Sequence, residues 1–166
     1  MHASMGAELD FRAMAGQEVS RTSRQFKVGV WRALMEVHAA VLREIETELA
    51  CRHGLTVSEF DALVNIPRDG TRVRELTERV VLSQSATSRL LDRLEHRGFV
   101  AREGAVDDSR SVVIRLTAEG RKVIRAAART NADVVERAFA DHLTPEELGI
   151  LDAAFTRLRA EPSQPC

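Results

Sequence analysis

The sequence has few cysteines and no long apolar run, and these absences exclude several classes of protein. Its two cysteines, Cys51 and Cys166, are too few for the disulfide framework of a small secreted domain. No stretch approaches the roughly 20 apolar residues that a membrane-spanning helix needs. Residues 1–16 lack the basic flank and apolar run of a secretory signal. We therefore expect a cytoplasmic protein with no membrane partner.

Motifs that carry out chemistry are also missing. The chain contains no glycine-rich phosphate loop and no nucleophile elbow. Its five histidines show none of the spacings of a zinc site. We therefore expect neither an enzyme nor a bound metal or cofactor.

The charged residues that are present are distributed unevenly. The composition, 44% hydrophobic and 30% charged, is typical of a folded globular protein, and the formal net charge is −1. Only two of the 24 basic residues, Lys27 and Lys122, are lysine. Residues 70–117 carry more arginines than acidic residues, which is compatible with binding to nucleic acid.

Amphipathic helices are predicted near both ends of the chain. Residues 26–50, residues 118–141 and the segment after Thr144 repeat apolar side chains at three- and four-residue steps. Thr56 and Glu59 have the spacing of a capping box at the start of a second helix, and Thr117 and Thr144 are further N-caps. The outer helices have more apolar face than a small domain covers alone, which favours a helical dimer interface.

The middle of the chain has the pattern of a winged helix-turn-helix. A short helix over residues 73–80 is followed by Ser83 as N-cap and by a helix over residues 84–97 that ends at Gly98. In residues 99–103 and 111–116 the side chains are β-branched or alternate with a period of two, as in strands, and a polar turn lies between the two segments. This pattern predicts a β-hairpin, the wing. The expected fold is mainly α with a small β-wing.

The expected domain organisation follows from these elements. Residues 55–117 form the winged helix-turn-helix domain, and flanking helices in residues 26–54 and 118–160 form the dimerisation region. Residues 1–25 are an N-terminal extension, partly flexible, and residues 161–166 are a C-terminal tail.

The predicted DNA contacts lie first on the helix over residues 84–97. Its N-terminal half is slim and polar, as a helix that enters the major groove must be, and Gln84 suits adenine as Arg89 suits guanine or phosphate. Arg93 is expected to contact the DNA backbone or to pair with Asp92 or Glu95. The candidate contacts on this helix are Ser83, Gln84, Ser85, Thr87, Ser88, Arg89 and Arg93. The alternative is an ordinary solvated helix face.

Further contacts are predicted from the hairpin tip and the preceding helix. Arg110 is placed to enter the narrow minor groove, with Asp108 holding its guanidinium beforehand. Arg72, Arg74 and Arg79 are candidate phosphate contacts, which set register without reading sequence. The alternative for the tip is a polar turn with an exposed ion pair.

Residues 55–120 carry a series of short motifs in a characteristic order. They are Arg74-Glu75-Leu76, the run from Ser83 to Glu95, Arg97-Gly98-Phe99-Val100-Ala101-Arg102, Asp108-Ser109-Arg110 and Leu116-Thr117-Ala118-Glu119-Gly120. The most specific part is an Asp-x-Arg wing followed by Leu-Thr-x-x-Gly. In these motifs the segment resembles the MarR (multiple antibiotic resistance regulator) family. The resemblance implies a homodimer on double-stranded DNA with a pseudo-palindromic sequence, usually a repressor, often released by a small phenolic or anionic ligand or by oxidation.

The same resemblance implies where such a ligand would bind. The candidate lining residues are Trp31, Met35, His38, Asp61 and Arg89. Asp61, Arg89 and Arg102 match residues of the urate-responsive branch, but that branch has its tryptophan in an added N-terminal helix, whereas the single tryptophan here lies in the first long helix. His38 is alternatively a core histidine.

Two further interpretations remain open at this stage. The winged helix could serve protein–protein contacts instead of DNA. Cys51, beside Arg52 and His53, could be a redox-active thiol, or a half-buried thiol at a helix end.

Overall fold

A computed structural model describes residues 23–80, 82–104 and 112–160. The chain divides into two compact units, Met1–Ala40 and Val41–Cys166. In chain order the elements are α1 (Arg24–His53), α2 (Val57–Val64), β1 (Thr71–Arg72), α3 (Val73–Arg79), α4 (Gln84–His96), β2 (Val100–Gly104), β3 (Val112–Leu116), α5 (Ala118–Ala138), a 3-10 turn (Ala140–His142) and α6 (Pro145–Ala160).

Side-chain caps begin the helices where the sequence predicts them. The Thr56 hydroxyl accepts from the Glu59 amide at 3.2 Å, and the Glu59 carboxylate accepts from the Thr56 amide at 3.0 Å. Ser83 caps α4 and Thr117 caps α5 in the same way, each accepting from the amide three residues on. Thr144 begins α6 with a second capping box. These hydrogen bonds satisfy amides that have no partner within their own helices.

The apolar core of the second unit lies between the end of α1, helices α2–α5 and the sheet. Leucines supply most of it, because their side chains fill the space between helices at three- and four-residue spacing. The largest fully buried aliphatic side chains are Leu49, Leu55, Leu63, Leu76, Leu90, Leu91, Leu94, Ile114 and Val134. This packing fixes α4 against its neighbours.

The predicted hairpin is present, and it belongs to a larger sheet. β2 and β3 pair antiparallel from Val100 opposite Leu116 to Gly104 opposite Val112. A strand that the sequence analysis did not predict, β1, pairs with the other side of β3, which gives the order β1-β3-β2. Gly70 precedes β1 with φ +89°, and a Cβ there would lie 2.6 Å from the Val113 side chain. Glycine is therefore required where β1 meets β3.

Several helix ends differ from the prediction. α1 is longer than residues 26–50 at both ends, and α5 stops at Ala138 instead of Asp141, where the backbone tightens into a 3-10 turn. α2 ends at Val64, although Ile66 just beyond it is still buried. Within the residues described, no helix is long and apolar enough to span a bilayer.

Two helices expose apolar side chains to solvent. In the first unit, the start of α1 exposes Val30 and Trp31, the latter at 61%. α6, in the second unit, has no buried residue and leaves Ile150 68% and Leu158 66% exposed. Both helices therefore leave large apolar side chains uncovered among exposed charged residues.

Candidate nucleic-acid interface

The N-terminal half of α4 presents small polar side chains to solvent. Ser83, Gln84, Ser85 and Arg89 are exposed, and Ser83 and Ser85 approach each other to 3.3 Å between their hydroxyl oxygens. Within the described residues, no ion pair engages Arg89. An exposed helix end with these side chains has the slimness and the donor and acceptor groups that a DNA groove requires.

Thr87 does not belong to this exposed surface, which corrects the prediction that it contacts DNA. Its side chain is fully buried, and its hydroxyl donates to the Ser83 carbonyl at 3.1 Å. The residue packs on the core side of α4 because it lies one turn before Leu90 and Leu91. Ser88 is half-buried.

Arg93 pairs with a different partner from those predicted. Its Nε lies 3.8 Å from a carboxylate oxygen of Glu59, and its guanidinium donates to the Arg89 carbonyl at 3.4 Å. Asp92 and Glu95, the predicted partners, are instead held by Arg102.

Arg102 joins the first strand of the wing to α4. Its two terminal nitrogens donate to Asp92 and to Glu95, each at 2.6 Å. The hydrogen bond to Asp92 raises the pKa of the Arg102 guanidinium above its ordinary value. The sequence predicted no ion pair for Arg102, which matches a residue of the urate-responsive branch. Acidic residues three apart on α4 are the one sequence signal for this contact.

Arg72 lies at the junction of β1 and α3. Its backbone amide donates to the Glu75 carboxylate at 3.2 Å, and the Thr71 hydroxyl donates to the same oxygen at 3.0 Å. These two hydrogen bonds hold the pKa of Glu75 below its ordinary value. The Arg72 side chain itself is exposed, as a phosphate contact would have to be.

The two arginines of α3 already have partners. Arg74 forms an exposed ion pair with Glu78 at 3.4 Å, and Arg79 donates to the Asn65 carbonyl at 3.4 Å. The exposed pair is weak, so Arg74 can exchange its partner for a phosphate at little cost.

The tip of the wing, with Asp108 and Arg110, lies outside the described residues. The base of the wing is well defined by the pairing of β2 and β3, and Arg115 and Glu103 form a cross-strand ion pair at 2.9 Å. The minor-groove prediction for Arg110 therefore stays a prediction.

The predicted ligand residues are divided between the two units. Trp31 and His38 are exposed on α1 in the first unit. In the second unit, Asp61 is half-buried and accepts from the Asn65 side-chain amide at 3.2 Å, whereas Arg89 is exposed on α4. No ion pair between Asp61 and Arg89 is found in the described part of the chain.

Cys51 is exposed, which corrects the interpretation that it is a half-buried thiol at a helix end. The neighbouring Arg52 is paired with Glu48 at 2.6 Å, so its charge is already compensated. Within residues 23–80, 82–104 and 112–160, no three His, Cys, Asp or Glu side chains are arranged to hold a metal ion.

Comparison with known proteins decides the family. The MarR family model matches residues 53–111. The HTH-type transcriptional regulator YfiV of Bacillus subtilis is 32% identical over 115 residues, which cover 64% of this chain and 71% of that protein. The chain belongs to the MarR family. Because the family and this relative are transcriptional regulators, the prediction that the chain is not an enzyme is confirmed.

Solved structures of this family share the fold. A MarR family transcriptional regulator from Streptomyces coelicolor, solved in complex with DNA, is 28% identical with a TM-score of 0.72, covering 86% of this chain and 92% of that one. AbsC, a second MarR family regulator from Streptomyces coelicolor, is 29% identical with a TM-score of 0.71, covering 84% and 97%. The predicted winged helix-turn-helix fold is therefore confirmed.

Proposed function

We propose that this MarR family regulator represses transcription as a homodimer that binds a pseudo-palindromic sequence in double-stranded DNA. The observation that carries the proposal is the exposed polar N-terminal half of α4, directly followed by the β2–β3 hairpin. The relative from Streptomyces coelicolor that was solved in complex with DNA supports the same assignment.

The proposed reading surface consists of a few exposed side chains. Gln84 and Arg89 read base edges, with Ser83 and Ser85 at the helix N-terminus close to a phosphate. Ser88 and Arg93 are at the margin of this surface. Arg72 and Arg74 contact the DNA backbone. Arg110 enters the minor groove, with Asp108 beside it. Thr87 is left out because it is buried.

The proposed dimer interface involves the terminal helices in residues 26–54 and 118–160. Trp31 on α1 and Ile150 and Leu158 on α6 expose large apolar areas on the isolated chain. A second copy of the chain is the partner that would cover both surfaces by symmetry. The winged domain in residues 55–117 would then be presented twice to one duplex.

We also propose that a small aromatic or anionic effector releases the protein from DNA, as the family resemblance implies. Trp31 is the single tryptophan of the chain, and Trp31 and His38 are both exposed on α1. The residues assigned to this effector are Trp31, His38, Asp61 and Arg89.

Binding to duplexes and the mass in solution test the proposal together. Light scattering should give twice the chain mass of 18.4 kDa. A fluorescently labelled random duplex should bind at low salt and lose affinity steeply as salt rises, because phosphate contacts release counterions. A protomer that stays single and binds no duplex at low ionic strength would refute the proposal.

Gln84→Ala tests the reading role separately. In this variant the difference in binding free energy between operators that differ at one base pair should fall by about 1–3 kcal/mol. Its affinity for random duplex should stay nearly constant. An equal loss on all sequences would make Gln84 a backbone contact.

A further inference from the structure

A buried carboxylate joins α2 to the C-terminal end of α4. Glu59, the third residue of α2, is only 5% exposed. One of its oxygens accepts from the Thr56 amide at 3.0 Å and from the Arg97 guanidinium at 3.2 Å. The other oxygen lies 3.8 Å from Nε of Arg93. Two arginines one turn apart at the end of α4 therefore converge on a single buried acid.

Arg97 extends this contact to the end of α1. Its second terminal nitrogen donates to the Gly54 carbonyl at 3.0 Å, and Gly54 directly follows α1. The guanidinium also lies 4.6 Å from the ring centre of Phe99, within the range of a cation–π contact. A planar guanidinium donates in these two directions at once, which a lysine ammonium on a flexible stem does not reproduce.

The two halves of α4 thus have different surroundings. Gln84 and Arg89 in the N-terminal half are exposed, and within the described residues no carboxylate forms an ion pair with Arg89. In the C-terminal half Arg93 lies 3.8 Å from Glu59, and at the cap Arg97 donates a hydrogen bond to it. The ion-pair cluster of Glu59, Arg93 and Arg97 thus adds a polar contact between α4 and the junction of α1 and α2, beside the leucine core.

We propose that Glu59 and Arg97 are positioning residues that set the separation of DNA half-sites the protein accepts. This inference rests on the proposed function. If α1 carries the dimer interface, a change in the orientation of α4 at the end of α1 shifts the two reading helices relative to each other. Half-sites must then be spaced to match, because their separation reflects the geometry of the dimer.

Glu59→Gln removes the ion pairs and keeps the helix cap. A glutamine oxygen still accepts from the Thr56 amide, since capping boxes use glutamate or glutamine alike. Glu48→Gln is the matched control, because it removes the same charge from an ion pair within α1, with Arg52 at 2.6 Å. Arg97→Lys keeps the charge and loses the two-directional contact, and it serves if Glu59→Gln does not fold.

The experiment first selects an operator for the wild-type protein from random duplexes. Affinities are then measured for that operator and for versions with one base pair added or removed between the half-sites. We expect the wild type and Glu48→Gln to share one spacing preference. In Glu59→Gln and Arg97→Lys, the ratio of the affinity for the selected operator to the affinity for the altered spacings should fall roughly tenfold.

A readout based on this ratio separates positioning from folding. A partly unfolded sample lowers affinity for all spacings equally and leaves the ratio unchanged. An unchanged ratio in both folded variants would overturn this inference alone. A wild-type protein that binds DNA with no spacing preference would overturn the proposed pseudo-palindromic operator as well.

Discussion

Gly120→Ala places helix propensity and packing in direct opposition. Gly120 is a buried residue in the first turn of α5, where alanine would favour the helix by about 1 kcal/mol. A Cβ at this position would overlap the Phe99 carbonyl oxygen and lie 2.8 Å from the carbonyl carbon. Because these are backbone atoms, no side-chain rotation relieves the overlap.

The clash acts at a point held by several hydrogen bonds. The Thr117 amide donates to the Phe99 carbonyl at 3.0 Å, and the Thr117 hydroxyl donates to the Gly98 carbonyl at 2.6 Å. Moving α5 away from Phe99 would weaken them. Overpacking costs about 1–3 kcal/mol and a lost hydrogen bond about 1 kcal/mol, so we expect a net loss of about 2 kcal/mol after the propensity gain.

Urea unfolding followed by circular dichroism, at one protein concentration, measures this free energy. The control is Gly149→Ala in α6, where a Cβ meets nothing within 4 Å. There we expect a stabilisation of up to about 1 kcal/mol. If Gly120→Ala is as stable as the wild type or more stable, the close approach of α5 to Phe99 is wrong.

Three other substitutions test separate parts of the structure. Thr87→Val should cost about 1 kcal/mol of stability through the lost hydroxyl bond and leave duplex affinity unchanged; a selective loss of DNA binding would restore Thr87 as a contact. Glu75→Gln tests the carboxylate whose pKa is lowered by the Arg72 amide and the Thr71 hydroxyl. A lowered folded-state pKa contributes stability above the unfolded value, so the advantage of the wild type should shrink as pH falls below about 4.5 in thermal melts; a gap independent of pH would contradict this. Ile150→Glu should weaken the dimer at least tenfold in concentration-dependent light scattering, because it places a charge on the proposed apolar interface, and an unchanged dimer would remove α6 from it.

Local signals in the sequence predicted much of the fold. The N-caps at Thr56, Ser83, Thr117 and Thr144 are confirmed, because a cap depends on residues only three positions apart. The leucines of α4 are buried as their spacing indicates. The hairpin is confirmed within a residue at each end, since alternation of side chains is also a local property.

Contacts between distant segments were not predictable in the same way. β1 has only two residues, and its pairing with β3 joins positions about forty apart, so no pattern in the sequence indicates it. The polar run at the start of α4 suggested that Thr87 is exposed, but the core packed against that helix face determines its burial. Likewise Asp92 and Glu95 pair with Arg102 instead of Arg93, because β2 packs on their side of α4 and α2 packs on the side of Arg93.

The position of β3 in the centre of the sheet affects how the protein can self-associate. Both sides of β3 are paired, at Val113 and Ile114 by β1 and along its length by β2. Among the described strands, the free edges of the sheet are two-residue β1 and five-residue β2, whose Arg102 and Glu103 are exposed charges. Short, charged edge strands resist pairing with another chain. Within the part of the chain that the structure describes, the sheet is therefore a poor surface for strand-to-strand aggregation, which agrees with placing the proposed dimer interface on helices.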